Sequence, residues 1–215
     1  MPCRGKIFFA RFALALCGGC VLAACNGRRP TPATHHLPSG DEFSVMSYNV
    51  LRYGYEDRDD DAQRNHPKPD SEVDAIIQLI AKIKPDVLAV QEMGTAQNLA
   101  DFQQRLSQKN LSYAHSEYIV SANSNANQAV LSRFPILTRQ SITNENYTIG
   151  RDVVPVQRGF INVSIQVNSN YLFRLMSAHL KSKVYHPLGQ TEMRRNEARL
   201  LHKHVRRALD QEPDM

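Results

Sequence analysis

From Asp86 to Glu92 the chain reads Asp-Val-Leu-Ala-Val-Gln-Glu, an unbroken apolar run that ends in an amide and a carboxylate. Such a run, approached through Pro85, predicts a strand buried on both faces. A charge is costly inside such a strand, so Glu92 is expected at its C-terminal edge. Upstream, Val73, Ile76, Ile77, Ile80 and Ile83 form one apolar stripe, the signature of an amphipathic helix. Ser71-Glu72-Val73-Asp74 supplies a capping box to open that helix, and Pro85 closes it. Phe43 to Val50 precedes it as a strand. Strand, helix and strand form a crossover that should be parallel and right-handed. Asn49 and Glu92 then share one edge of the sheet, where open α/β folds bind ligands.

The pattern beyond this unit is shorter in period. Leu51 to Pro69 is polar and irregular, with Asp57, Asp59, Asp60 and Asp61 close together, and lacks the Gly and closing Glu of a calcium loop. A second helix spans Asn98 to Gln108 with Leu99, Phe102 and Leu106 inward. Tyr113 to Val120 predicts a strand, Ser121 to Gln128 an Asn-rich loop, and Ala129 to Leu131 a short strand. Arg133-Phe134-Pro135-Ile136 then turns into the next strand. Asn144 to Gln157 carries no clear period and is expected as a loop. Ile161, Val163, Ile165 and Val167 alternate with polar neighbours, which predicts a half-buried strand. Asn168-Ser169-Asn170 makes a hairpin turn, and Tyr171 to His179 returns antiparallel. The last helix, Thr191 to Leu209, offers Met193, Leu200, Leu201, Val205 and Leu209 as its buried face and six Arg and Lys residues as its solvated side.

Composition changes the picture mainly at the N-terminus. Arg4 and Lys6 are followed by an apolar stretch from Ile7 to Ala24 broken by Arg11, a secretory signal pattern too short for a comfortable membrane span. Leu22-Ala23-Ala24-Cys25 looks like a bacterial lipoprotein box, in which Cys25 is lipidated and becomes the new N-terminus; ordinary cleavage after Ala23 is the alternative. All four cysteines (3, 17, 20 and 25) fall in or beside this signal. Cys17-x-x-Cys20 is therefore no redox or zinc motif, and the exported domain is expected to hold together without disulfides. The chain divides into a signal at 1–24, a Pro-rich tether at 25–41 with a reach on the order of 20 Å, and one domain at 42–215. Without Arg4, Lys6 and Arg11 the charge falls from +5 to a formal +2, 23 cations against 21 anions. That is too small to argue for nucleic acid.

Taken singly, the polar strand-end residues have plain readings: Asn49 a turn residue, Glu92 and Arg133 solvent-facing, His179 structural, Arg158 a salt-bridge partner. Taken together they form an ordered set: Ser47-Tyr48-Asn49-Val50, the run to Glu92, Leu131-Ser132-Arg133-Phe134-Pro135-Ile136, Arg158-Gly159-Phe160 and Ser177-Ala178-His179-Leu180-Lys181-Ser182. From about Phe43 to Leu209 this set resembles the endonuclease/exonuclease/phosphatase family of metal-dependent phosphohydrolases. The resemblance implies an α/β fold, a four-layer α/β/β/α sandwich of two packed mixed sheets, here incomplete at the C-terminus. It also implies that Glu92 holds Mg²⁺ (or Mn²⁺) with Asn49 assisting, that His179 contacts the scissile phosphate and that Arg158 neutralises it. Two further motifs of the family, Gly-Asp-x-Asn and a C-terminal Asp-His pair, do not occur after His179.

The expected function is a phosphoric ester hydrolase at the cell envelope. It would be a lipid-anchored monomer acting on nucleic acid, phospholipid or a small phosphodiester. The competing expectation is a truncated, catalytically inactive fragment or binding module of the same fold.

Overall fold

Four strands form one mixed sheet and three others a second, and the two carry the fold. The computed structural model describes residues 42–57, 63, 65–122 and 126–211. These belong to a compact unit spanning 35–215; the signal, Cys25 and the tether lie outside the described residues. Strand β1 (Val45–Tyr53) leads through two short strands, β2 (Tyr55–Glu56) and β3 (His66–Pro67), into helix α1 (Asp70–Ile83). Strand β4 (Val87–Met93) then pairs parallel with β1, as the crossover pattern requires. Helix α2 (Ala96–Gln108), β5 (His115–Ile119) and β6 (Asn127–Ser132) follow, with β6 antiparallel to both β4 and β5. A second sheet joins β7 (Ile136–Arg139), β10 (Phe160–Asn168) and β11 (Tyr171–Ala178) in the order β11-β10-β7. Between them lies a hairpin, β8 (Asn146–Ile149) and β9 (Asp152–Pro155), and α3 (Gln190–Gln211) ends the described fold.

Three buried clusters separate four layers. Val73, Ile76, Ile77 and Ile80 of α1 and Leu99, Phe102 and Leu106 of α2 pack on Leu88, Val90, Ala129 and Leu131 of the first sheet. Val87, Ala89 and Val130 on its other face meet Ile161, Val163, Ile165 and Val167 of the second sheet. Phe160 and Met193 join the second sheet to α3 and the β8–β9 hairpin. Each fully buried aliphatic or Phe side chain is worth about 1.5–3 kcal/mol of transfer free energy. The architecture is the α/β/β/α sandwich.

Several local expectations are corrected. Helix α1 starts at Asp70, with Pro69 as an N-cap that makes no side-chain bond, so the Ser71 capping box does not form. Asp70 and Glu72 instead place acid in the first turn, where the helix dipole favours it. The capping box occurs on α2, where Thr95 Oγ1 accepts from Asn98 N and Asn98 Oδ1 accepts from Thr95 N. Ile83 is exposed, because at 3.6 residues per turn it lies roughly 80° round from Val73. Strand β10 is buried on both faces rather than one, since α3 covers its polar side. There Ser164 Oγ accepts from Thr138 Oγ1 at 2.8 Å and Asn162 N donates to Ser141 Oγ at 3.3 Å. On α3 the buried positions are Met193 and Glu197. Leu200 and Leu201 are partly buried and Val205 and Leu209 exposed, because the inward stripe runs 193, 197, 200, 204. The loop expected at 144–157 contains the β8–β9 hairpin, and Asn127 and Gln128 belong to β6 rather than to a loop.

Candidate active site

Glu92 is the extra residue of a β-bulge. Gln91 opposes Gln128 and Met93 opposes Asn127, so two steps on β4 match one on β6. The residue takes a left-handed backbone, φ 61°, which costs a non-glycine residue roughly 1–2 kcal/mol. The bulge decides where the carboxylate goes. Leu88 and Val90 point into the helix-side core, and strict alternation would send Glu92 there too. The bulge gives that place to Met93 and leaves Glu92 partly exposed at the sheet edge. Strand β1 is irregular at the same level: Asn49 pairs with Gln91 and Tyr53 with Met93, so two additional residues fall between. Leu51 and Arg52 take φ 49° and 55° there.

The structure brings Asn49, Glu92 and His179 together. Asn49 Nδ2 donates to Glu92 Oε1 at 2.8 Å. Asn49 Oδ1 accepts from Leu51 N at 2.8 Å, so in this arrangement Asn49 orients the carboxylate while its own oxygen is occupied. His179, one residue past β11, places Nε2 3.5 Å from the same Glu92 Oε1. Its Nδ1 is buried without a hydrogen-bond partner. Burial, and then the Arg158 cation, hold its pKa below 6.5; Arg194 acts the same way and Glu92 opposes. The imidazole is therefore neutral at pH 7.

Arg158 joins the cluster from the other sheet. Its Nη1 donates to Leu180 O at 3.1 Å, next to His179, and its buried Nε has no hydrogen-bond partner. Desolvation lowers its pKa, with the Glu197 and Glu92 carboxylates opposing; a guanidinium stays charged regardless. Gln128 Nε2 donates to Arg158 O at 2.9 Å and Gly159 O at 3.1 Å. Gly159 is required next in the chain, because at φ +67° a Cβ would lie 2.6 Å from Ile142 O. Arg133 is not part of the site: it pairs with Asp86 at 2.9 Å, at the opposite end of β4.

Beneath these residues lie supports that pattern reading missed. Gln91 Nε2 donates to Ser47 Oγ at 3.2 Å and Ser177 Oγ at 3.3 Å, tying the two sheets below the site. Glu197 Oε2 accepts from Lys181 N at 2.5 Å, and Arg194 Nη1 donates to Lys181 O at 3.0 Å. The available signal was a carboxylate on the apolar stripe of α3, between Met193 and Leu200. A cluster of three or more His, Cys, Asp or Glu is absent among the described residues. The donor set still suits Mg²⁺ or Mn²⁺ in one respect. Both contacts fall on Glu92 Oε1, which leaves Oε2 outside them, and Mg²⁺ typically takes one or two carboxylates and completes its shell with waters and substrate phosphate.

The fold has likenesses among solved structures. TDP2 from Caenorhabditis elegans superposes with a TM-score of 0.52 at 18% identity, over 80% of this chain and 44% of that one. Truncated C. elegans TDP2 gives 0.50 at 17% identity, over 80% of this chain and 57% of that one. A family protein from Leptotrichia buccalis C-1013-b gives 0.47 at 14%, over 69% and 58%. The chain thus spans about half the length of these proteins, and at these identities the two TDP2 likenesses show the fold alone. None of the curated proteins matches it. The family model described as "Endonuclease/Exonuclease/phosphatase family" matches residues 46–213, which include the whole Asn49–Glu92–Arg158–His179 cluster, and the chain belongs to that family.

Proposed function

We propose that this chain is a divalent-metal-dependent phosphoric ester hydrolase, held at the cell envelope by a lipid on Cys25. One observation carries the reading: a carboxylate fixed by Asn49, a neutral histidine and a half-buried guanidinium meet at one sheet edge. Glu92 would hold Mg²⁺ or Mn²⁺ through Oε2, and the bound ion would polarise a phosphoryl oxygen. The chain's own residues do the rest of the binding. Neutral His179 has one N–H to offer a non-bridging phosphate oxygen, which strengthens as negative charge grows there. Arg158 neutralises the same group with its charge already desolvated. The substrate class is a phosphodiester, in nucleic acid, phospholipid or a small molecule.

The single carboxylate favours a second reading, a site that binds phosphate esters without turning them over. Hydrolysis of bis-p-nitrophenyl phosphate, DNA and sphingomyelin vesicles with Mg²⁺ or EDTA separates the two. Metal-dependent turnover lost in Glu92→Ala and His179→Ala supports the hydrolase; binding without turnover supports the second reading. Activity equal in Glu92→Ala removes this site from either role. For the anchor, Cys25→Ser should move the protein from the membrane to the soluble fraction, and unchanged fractionation refutes it.

A further inference from the structure

We propose that Lys68 is a positioning residue for the metal carboxylate, acting on Glu92 through Leu51 and Asn49. The inference rests on Glu92 as the ion's ligand. Lysine is rarely buried unless paired, yet the Lys68 side chain is only 4% exposed. Its Nζ donates to Leu51 O at 2.8 Å and lies 2.9 Å from Glu72 Oε2. Its backbone N donates to Gly54 O at 2.9 Å. Lys68 is thus tied back to β1 by its ammonium group.

The point of attachment matters. Leu51 and Arg52 are consecutive left-handed residues, a conformation that persists only where surroundings impose it. Both side chains are exposed, so their own packing does not impose it. Polar contacts do: Lys68 takes the Leu51 carbonyl, and the Leu51 N–H goes to Asn49 Oδ1. The two ends of a carboxamide have nearly the same shape, so hydrogen bonds decide which way it faces. Because Leu51 N–H demands an acceptor, Asn49 must turn its NH₂ toward Glu92. With Lys68 removed, the Leu51 carbonyl loses its partner and the left-handed pair is free to relax. Asn49 then loses the contact that sets its flip, and Oδ1 facing Glu92 Oε1 would repel.

The test reads Mn²⁺ binding by electron paramagnetic resonance, with no turnover required. Lys68→Met is expected to weaken Mn²⁺ about 10-fold or more, the scale typical of lost outer contacts to a metal ligand. It should also shift the ¹⁵N signal of the Asn49 side-chain amide in the metal-free protein. Glu72→Gln removes the carboxylate and keeps the bond to Leu51 O, so it should bind Mn²⁺ within about twofold of wild type on that same scale. Wild-type affinity in Lys68→Met, or equal weakening in Glu72→Gln, overturns the proposal. If Lys68→Met does not fold, Lys68→Gln, too short to hold Leu51 O, decides by the same two signs. Glu92→Ala separates the premises: if it binds Mn²⁺ like wild type, both the metal reading and the role of Lys68 fall.

Discussion

Replacing Glu197 tests how the loop after His179 is held. The carboxylate is 2% exposed and accepts the Lys181 N–H at 2.5 Å, two residues past His179. Arg158, Lys181 and Arg194 all lie within its electrostatic reach. Glu197→Ala leaves the buried Lys181 N–H without its acceptor, a change of about 1–3 kcal/mol. For a domain of this size each kcal/mol is about 2–4 °C, so the melting point should fall by on the order of 2–12 °C. Glu197→Gln should be far milder. Burial raises the Glu197 pKa above 4.5 even though the Lys181 N–H and three cations oppose it. Desolvation of the ion therefore outweighs its partners, and a neutral acceptor of the same shape should cost about 1 kcal/mol or less. A carboxyl with a raised folded pKa gives its stabilisation below the unfolded value and loses it as pH rises through the folded one. The Gln variant should accordingly gain on wild type as pH rises above 4.5. Urea unfolding followed by circular dichroism, which suits a chain without Trp, gives both differences, provided the slope m is unchanged. A Gln variant as damaged as the Ala variant would refute the reasoning, because the charge and not the hydrogen-bond acceptor would then matter.

Two further outcomes follow from backbone and titration. Gly159→Ala should destabilise by about 2 kcal/mol or more, through the left-handed φ and the 2.6 Å approach to Ile142 O. Gly150→Ala, at φ +60° with nothing within 4 Å, should show only the backbone part, roughly 1 kcal/mol; equal urea midpoints would remove the steric argument. His179, held neutral with a folded pKa below 6.5, should make wild-type stability fall as the pH drops below 6.5, because the unfolded chain then binds the extra proton. His179→Asn should flatten that slope, and an unchanged slope would assign it elsewhere.

What was legible in the sequence is what period and order encode. The apolar run Val87 to Val90 and the stripe Val73, Ile76, Ile77, Ile80 each had one compatible partner surface, so the crossover and the shared edge of Asn49 and Glu92 followed. Period reading failed where a polar residue sits at a buried position. Asn162, Ser164 and Glu197 looked like solvent positions, and they are covered because a fourth layer lies over β10. No local pattern announces that layer; it appears only once both sheets are stacked. Lys68 was missed because its bond to Leu51 O joins residues that meet only once β2 and β3 pair antiparallel.

Glu92 shows the deeper limit. The sequence placed it correctly in order but not in geometry, since a strand-end Glu and a bulged Glu are written with the same letters. Only the pairing of Gln91 with Gln128 and of Met93 with Asn127 reveals the inserted residue. The left-handed Glu92, Leu51 and Arg52 stand at one level of the sheet, in two neighbouring strands whose ladder slips there. A fold optimised for stability alone would place glycine or asparagine at such positions. Keeping a carboxylate at φ 61° costs roughly 1–2 kcal/mol. What the strain secures is direction: the bulge turns Glu92 out of the helix-side core, and Asn49 and the neutral His179 meet it at the edge. Backbone strain and site geometry are here one feature, created by the β4 bulge and held from behind by the β1 turn that Lys68 grips.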